Sequence, residues 1–463
     1  MRRSQPFVLA VIAAFAMLAC GPSSGGDDDD DDGGGGGDGG IDVCSGDQCG
    51  TLEGTVWAPG MAPGMVPAGQ EIPIFGALVY LSLTRPAPIP QEVYCERCVN
   101  SPGGVTTDHD GNFSLGSLRP GTYWLVIQKG QFRLEQQVTL TEGSRALPDA
   151  DTTLPSVLDL ANGKTIPHVA VAAGNYDSVQ DILGKMGLGT VGTDGGFTST
   201  AGELDLYTNG GTDLGMAMGT LTQLVGDLAR LRQYHIVFIP CAGVANVAAL
   251  RDQQVLRNLR DYVAAGGKLY VTDWSGEWMD DVFPAPLQLG AAMTGGRVDT
   301  PAAAYDAATD TWDTALFGDA DGDFYEVADG QAVDPELVTW LSGQIGPRND
   351  AGGDVGPIDP LAFHVYDNWN WVASTTPIRV GTDMAGAPIF DEPRVWVRGS
   401  GAPAAPAGKH PLTVTFHPPG CGRVLYSTYH TAPGTHRGLL PQERVLLYLI
   451  LELGVCNNNP PVL

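Results

Sequence analysis

Two hydrophobic patterns divide this chain. From Gly50 to about Gly143 the apolar residues come in short runs broken by turn residues and show no helical spacing; strands are predicted over 52–57, 77–83, 111–115, 121–129 and 132–140. Asp110-Gly111 supplies a hairpin turn, because glycine takes a positive φ without steric cost. Residues 144–165 read as a linker with some extended structure. Beyond them apolar strands at 167–173, 234–240, 268–273 and 422–429 alternate with helical spacing at 178–186, 219–231, 247–265 and 441–453. That alternation is the mark of a parallel sheet with crossover helices. The expected fold is multidomain: an N-terminal antiparallel β sandwich over 50–143, then a doubly wound, flavodoxin-like α/β sheet over 166–456. A long insertion rich in Pro, Gly and Asp interrupts the second domain at about 282–409, and 457–463 form a tail.

The first residues carry a different pattern. Arg2 and Arg3 precede an apolar run over 7–19 that is too short to span a bilayer, which identifies 1–19 as a secretory signal peptide. Met17-Leu18-Ala19-Cys20 resembles the bacterial lipobox, with Met17 where that motif usually has Leu. The resemblance implies cleavage before Cys20 and lipidation of its thiol, hence a membrane anchor and a cell-envelope location, periplasmic or at the cell surface. Residues 21–43 hold almost nothing that can be buried, and Asp27 to Asp32 repel one another, so 20–49 is read as a flexible tether.

Composition narrows the partners. A net charge of −28 and an apolar fraction of 43% describe an acidic globular protein, and the acidity excludes nucleic acid as a partner. Of the eight cysteines, seven remain beyond Cys20, an odd number for an oxidising compartment. Cys44 with Cys49 and Cys95 with Cys98 are expected as local disulfides. A strand over 422–429 rises about 23 Å, and a helix over 441–453 returns about 20 Å. That brings Cys456 back to Cys421, so these two are expected to pair and Cys241 to stay free.

Two family resemblances follow from particular residues. Thr107-Asp108-His109-Asp110-Gly111-Asn112-Phe113-Ser114-Leu115, continued by Leu118-Arg119-Pro120-Gly121-Thr122-Tyr123, resembles the carboxypeptidase regulatory-like β-sandwich family. That implies an accessory module for contact or spacing. Tyr234 to Pro240, Leu259 to Leu269 with its Gly266-Gly267 stop, and Gly422 to His430 resemble the class I glutamine-amidotransferase-like superfamily, trehalose-utilisation type. In that superfamily a nucleophilic Cys, a His and a Glu occur in this order, which implies Cys241, His430 (or His436) and Glu443. The usual Gly-x-Cys-x-Gly elbow is absent, since Ile239 holds the first glycine position and Pro240 precedes the thiol. A domain that has lost catalysis and binds a carbohydrate or protein partner is therefore the first expectation. A hydrolase or amidotransferase-like enzyme using Cys241 is the alternative, and a purely structural envelope component the third.

Two further groups have chemistry. Asp319, Asp321, Asp323 and Glu326, with Gly322 among them, have the alternate carboxylates that wrap a Ca²⁺ cofactor; an acidic turn without an ion explains them too. Trp369, Trp371, Tyr366 and His364, with Trp274 and Trp278 after the third strand, suit a sugar platform on which pyranose faces stack. Asp273, Asp367 and Asn368 suit bonds to hydroxyls.

Overall fold

The computed structural model describes residues 44, 48–96, 103–200, 202–210, 215–243, 247–298, 300–318, 321–348, 354–383, 385–431 and 434–453. The signal peptide, Cys20 and the tether up to residue 43 lie outside the described residues, as do Cys98, Asp319 and Cys456; at the end of the expected tether, Cys44 N donates to the Ser117 carbonyl at 2.8 Å. Among the described residues strands far outnumber helices, in several sheets.

The N-terminal part contains two sheets. One runs β4 (Asn112–Leu118), β1 (Gly50–Thr55), β7 (Gly143–Ala146). The other runs β3 (Val105–Thr106), β2 (Leu78–Ser82), β5 (Gly121–Lys129), β6 (Phe132–Leu140), β8 (Lys164–Thr165). Alternating residues such as Phe113, Leu115, Leu125 and Ile127 are buried, as a half-covered strand demands. The stretch 144–165 is more than a linker. It supplies β7, which pairs parallel with β1, and β8, which pairs with β6. The sandwich is thus not wholly antiparallel.

A ten-stranded sheet dominates the rest. Its strands are β9 (Val169–Ala173), β10 (Leu204–Thr208), β11 (Ala217–Thr220), β12 (Ile236–Ile239), β13 (Lys268–Thr272), β14 (Tyr325–Ala332), β15 (Phe363–Asn368), β16 (Arg394–Ser400), β17 (Lys409–Phe416) and β18 (Arg423–Ser427). The spatial order is β11-β10-β9-β12-β13-β18-β17-β16-β14-β15. The first six are mutually parallel and the last four antiparallel. The central parallel strands β9, β12 and β13 are buried along their whole length, so they read as apolar runs such as Ile236 to Ile239. The segment expected as an insertion contributes β14, β15 and β16, which extend the sheet.

The helix expected over 441–453 forms as Pro441–Leu453, but two other helical stretches are each broken in two. Residues 219–231 form two turns, Leu221–Val225 behind a Thr220/Gln223 capping box and Leu228–Leu231 behind Asp227. Asp252 likewise caps Gln253–Ala264, separating it from Val247–Leu250.

Cysteine pairing departs from expectation in one respect. Cys44–Cys49 forms, but Cys95 bonds Cys421, so neither Cys95–Cys98 nor Cys421–Cys456 is present. The reason is docking of the segment before β3 on the amino edge of the parallel strands. The Pro90 carbonyl accepts from His235 Nε2 at 2.9 Å, Val93 N donates to the Arg232 carbonyl at 2.8 Å, and Glu96 pairs with buried Lys268 at 3.2 Å. Gly266, at φ +111°, permits the approach; a Cβ there would stand 2.1 Å from the Tyr94 carbonyl oxygen. Trp340 adds a bond to the Pro73 carbonyl, and the described residues belong to one compact unit. Among the described residues no helix is long and apolar enough to cross a membrane.

Candidate functional site

All the parallel strands end on one edge, and there the chain leaves its chemistry. Asp177 follows β9, Cys241 follows β12, Asp273 follows β13 directly, and His430 follows β18. Ligands of open parallel sheets sit at such carboxyl edges, because loops diverge there and leave a crevice. The ligand atoms of Cys241, Asp273 and His430 lie within 4.8 Å of one another, and all three residues are buried.

Asp177 organises this group. Its Oδ2 accepts from Thr272 Oγ1 at 2.6 Å, and its Oδ1 accepts from Thr431 Oγ1 at 2.8 Å and Thr431 N at 3.1 Å. Thr272 Oγ1 in turn accepts from Cys241 N at 2.8 Å. One carboxylate therefore ties the neighbours of Asp273 and His430 and, through a hydroxyl, the backbone of Cys241. Asp177, Thr272 and Thr431 were not among the residues expected from sequence, though the rule that singled out Cys241, a reactive group just past an apolar strand, also applies to Asp177.

The electrostatics are those of a crowded, dry acidic site. His430 Nε2 is 3.6 Å from Asp273 Oδ2, and its Nδ1 is 4.0 Å from Asp367 Oδ2. Burial pushes the Asp273 carboxyl up to about 8, against the opposing pull of His430. For His430, burial favours the neutral ring, but Asp177 and Asp273 outweigh it and raise the imidazole above its usual value. Burial pushes the Cys241 thiol well above its usual range, and Asp273 and Asp177 push the same way. A nucleophile requires the opposite surroundings, since the thiolate is the reactive form. Asp273 holds a left-handed φ of 50° and Asp367 one of 54°, a conformation that Asp tolerates better than most residues.

The expected aromatic cluster divides. Trp274 stacks with Trp369 at 5.1 Å between centroids, and exposed Tyr176 stands 6.4 Å from Trp274. Each of these rings is a near neighbour in sequence of a site acid: Asp177, Asp273 or Asp367. Trp278, by contrast, is wholly buried, and Trp371 is buried with its Nε1 donating to the Ala291 carbonyl. His364 and Tyr366 stack on each other beside Glu326, which His364 Nε2 meets at 2.9 Å. Glu443 also stands apart: it accepts from Leu440 N at the start of the helix Pro441–Leu453 and pairs with His436 Nε2 at 2.9 Å.

The acidic run is not gathered round one point. Asp321 Oδ2 accepts from Arg297 N, Asp323 Oδ1 accepts from Phe324 N, and Glu326 faces His364. The loop instead closes over Trp369, for a Cβ at Gly322 would stand 1.8 Å from the indole nitrogen.

No protein-family model matches the chain, and no curated protein does. Among solved structures, it is similar to GBS52, the minor pilin of Streptococcus agalactiae (16% identity, 24% of this chain, TM-score 0.16); the match spans 46% of the pilin chain. A cytoplasmic protein of Salmonella typhimurium is similar at 11% identity over 62% of this chain and 99% of its own, with a TM-score of 0.30. The GH42 β-galactosidase Gan42B is similar at 12% identity over 65% of this chain and 32% of its own, with a TM-score of 0.23. These likenesses are too slight to carry a fold or a function.

Proposed function

We propose that this chain is a lipid-anchored cell-envelope protein that binds a carbohydrate, without turning it over, at the carboxyl edge of a flavodoxin-like α/β domain. The observation that carries this reading is the row Tyr176, Trp274, Trp369 with part-exposed Asp367 two residues before Trp369; Asp177, Asp273 and Asn368, though close in sequence to these rings, are buried. Ring faces stack on the apolar faces of pyranoses, while carboxylates accept from sugar hydroxyls. The parallel order β11-β10-β9-β12-β13-β18 reverses direction between β9 and β12 and so supports a doubly wound reading, with the crevice where those two strands diverge. It also agrees with the resemblance to the amidotransferase-like superfamily. Cys20 in its lipobox-like setting supplies the anchor in this reading, the tether the reach, and the β sandwich the spacing. The thiol-favouring surroundings of Cys241, and the engagement of Glu443 with His436 and Leu440 N, speak against the alternative in which Cys241 attacks a substrate.

Titration of the purified protein with trehalose and with short α- and β-linked glucans, followed by calorimetry and tryptophan fluorescence, tests this. At least one sugar is expected to bind saturably, and Trp274→Ala and Trp369→Ala each to weaken it at least tenfold, about 1.4 kcal/mol. Binding that survives both substitutions, or no binding across the set, overturns the reading.

A further inference from the structure

We propose that Cys241 Sγ, a carboxylate oxygen of Asp273 and Nε2 of His430 form a binding site for one borderline-soft divalent metal ion, of which zinc is the natural occupant. This stands apart from the carbohydrate reading and does not depend on it. The three ligands come from the ends of three adjacent parallel strands, β12, β13 and β18, so the sheet itself sets their positions. All are buried, and their ligand atoms lie within 4.8 Å of one another.

Hydrogen-bond chemistry points the same way. His430 Nδ1 faces the Thr431 carbonyl at 2.9 Å. A carbonyl only accepts, so Nδ1 carries the proton and the ring can turn the lone pair of Nε2 toward Asp273 Oδ2, 3.6 Å away. That separation is too long for a hydrogen bond. It suits two ligands of one ion, since bonds of about 2.0 to 2.2 Å at tetrahedral angles place nitrogen and oxygen roughly 3.3 to 3.6 Å apart. Asp273 is buried; its carboxyl group interacts with the Cys241 thiol and the Trp369 backbone, yet Oδ1 has no partner at hydrogen-bond geometry. A buried carboxylate oxygen in that condition is costly and calls for a cation.

The surroundings supply what a metal site needs next. The Thr431 carbonyl fixes the His430 tautomer, and Asp177 positions the residues flanking the ligands through Thr272 and Thr431. Asp177 and Asp367 add negative charge near His430, which a dication offsets. Thiolate with imidazole and one carboxylate selects zinc or cobalt over calcium and magnesium, which prefer oxygen alone. Three protein ligands leave the fourth tetrahedral position for water or a ligand oxygen. On binding, the thiol gives its proton to solvent and the sulfur forms the metal bond, so affinity rises with pH.

Cobalt(II) is the probe. The full chain, stripped with a chelator and held in excess Ca²⁺ to occupy surface carboxylates, is titrated with Co²⁺ at pH 8 and then with Zn²⁺. One equivalent of cobalt is expected to give tetrahedral visible bands and a thiolate-to-cobalt charge-transfer band, both removed by one equivalent of zinc. Cys241→Ser should abolish the charge-transfer band, His430→Gln should weaken binding at least tenfold, and Asp177→Asn should weaken it about 10- to 100-fold. Circular dichroism reports whether each variant folds. If the variants do not fold, the wild-type spectrum decides alone: the absence of a thiolate band, or cobalt bound only octahedrally, overturns the proposal. A thiolate band retained in folded Cys241→Ser overturns it as well.

Discussion

The disulfide between Cys95 and Cys421 closes a loop across a sequence separation of 326 residues. In the loop-entropy relation such a closure removes enough freedom from the unfolded chain to stabilise the native state by about 6 kcal/mol at 25 °C. The relevant perturbation is the double variant Cys95→Ser with Cys421→Ser, because a single change leaves a thiol free to exchange with Cys98 or Cys456. Glu96, next to Cys95, is the ion-pair partner of Lys268, whose side chain is 5% exposed. Freeing the segment therefore also loosens a buried pair, and burial already pulls the Lys268 ammonium below its usual value. The assay has two arms: peptide mapping without reduction, and equilibrium urea unfolding of wild type and variant under non-reducing conditions. A Cys95–Cys421 peptide and a loss of several kcal/mol are expected. A Cys421–Cys456 or Cys95–Cys98 peptide, or a loss under about 1 kcal/mol, refutes the reasoning that this segment is docked on the amino edge of the sheet.

Two other measurements probe buried groups. Cys241 should react with iodoacetamide at pH 8 at least a hundredfold more slowly in the native metal-free protein than in urea, since burial and the acids Asp273 and Asp177 hold it as the thiol; fast native alkylation would contradict that description. His235, whose Nε2 donates to the Pro90 carbonyl, is lowered by burial from 6.5 to about 4. Between those values the unfolded chain binds a proton that the native chain refuses, so stability is lost as pH falls from about 6.5 to about 4. The loss reaches about 3 kcal/mol. His235→Gln should flatten that part of the pH profile, and an unchanged acid limb in the variant would show that His235 does not drive it.

Much of the architecture was legible because its causes are local. Strand runs such as Gly121–Lys129 and Phe132–Leu140 announce themselves by alternation and turn residues, and the buried parallel strands by unbroken apolar runs. Strand ends are equally visible, so Cys241, Asp273 and His430 could each be placed on the carboxyl edge from sequence. What tertiary structure alone decided was which groups meet. Cys95 found Cys421 and not Cys98, because a segment from the N-terminal sheets crosses the amino edge of the large one. The four tryptophans divided into a half-buried stacked pair, Trp274 and Trp369, and a buried pair, Trp278 and Trp371, although each pair has one member from each sequence cluster. Asp177 became the hub of the site through bonds to residues 95 and 254 positions away. Periodicity reports on the neighbours a residue has along its own strand or helix; it does not report on contacts made by sheet order and loop docking, which depend on the whole chain at once.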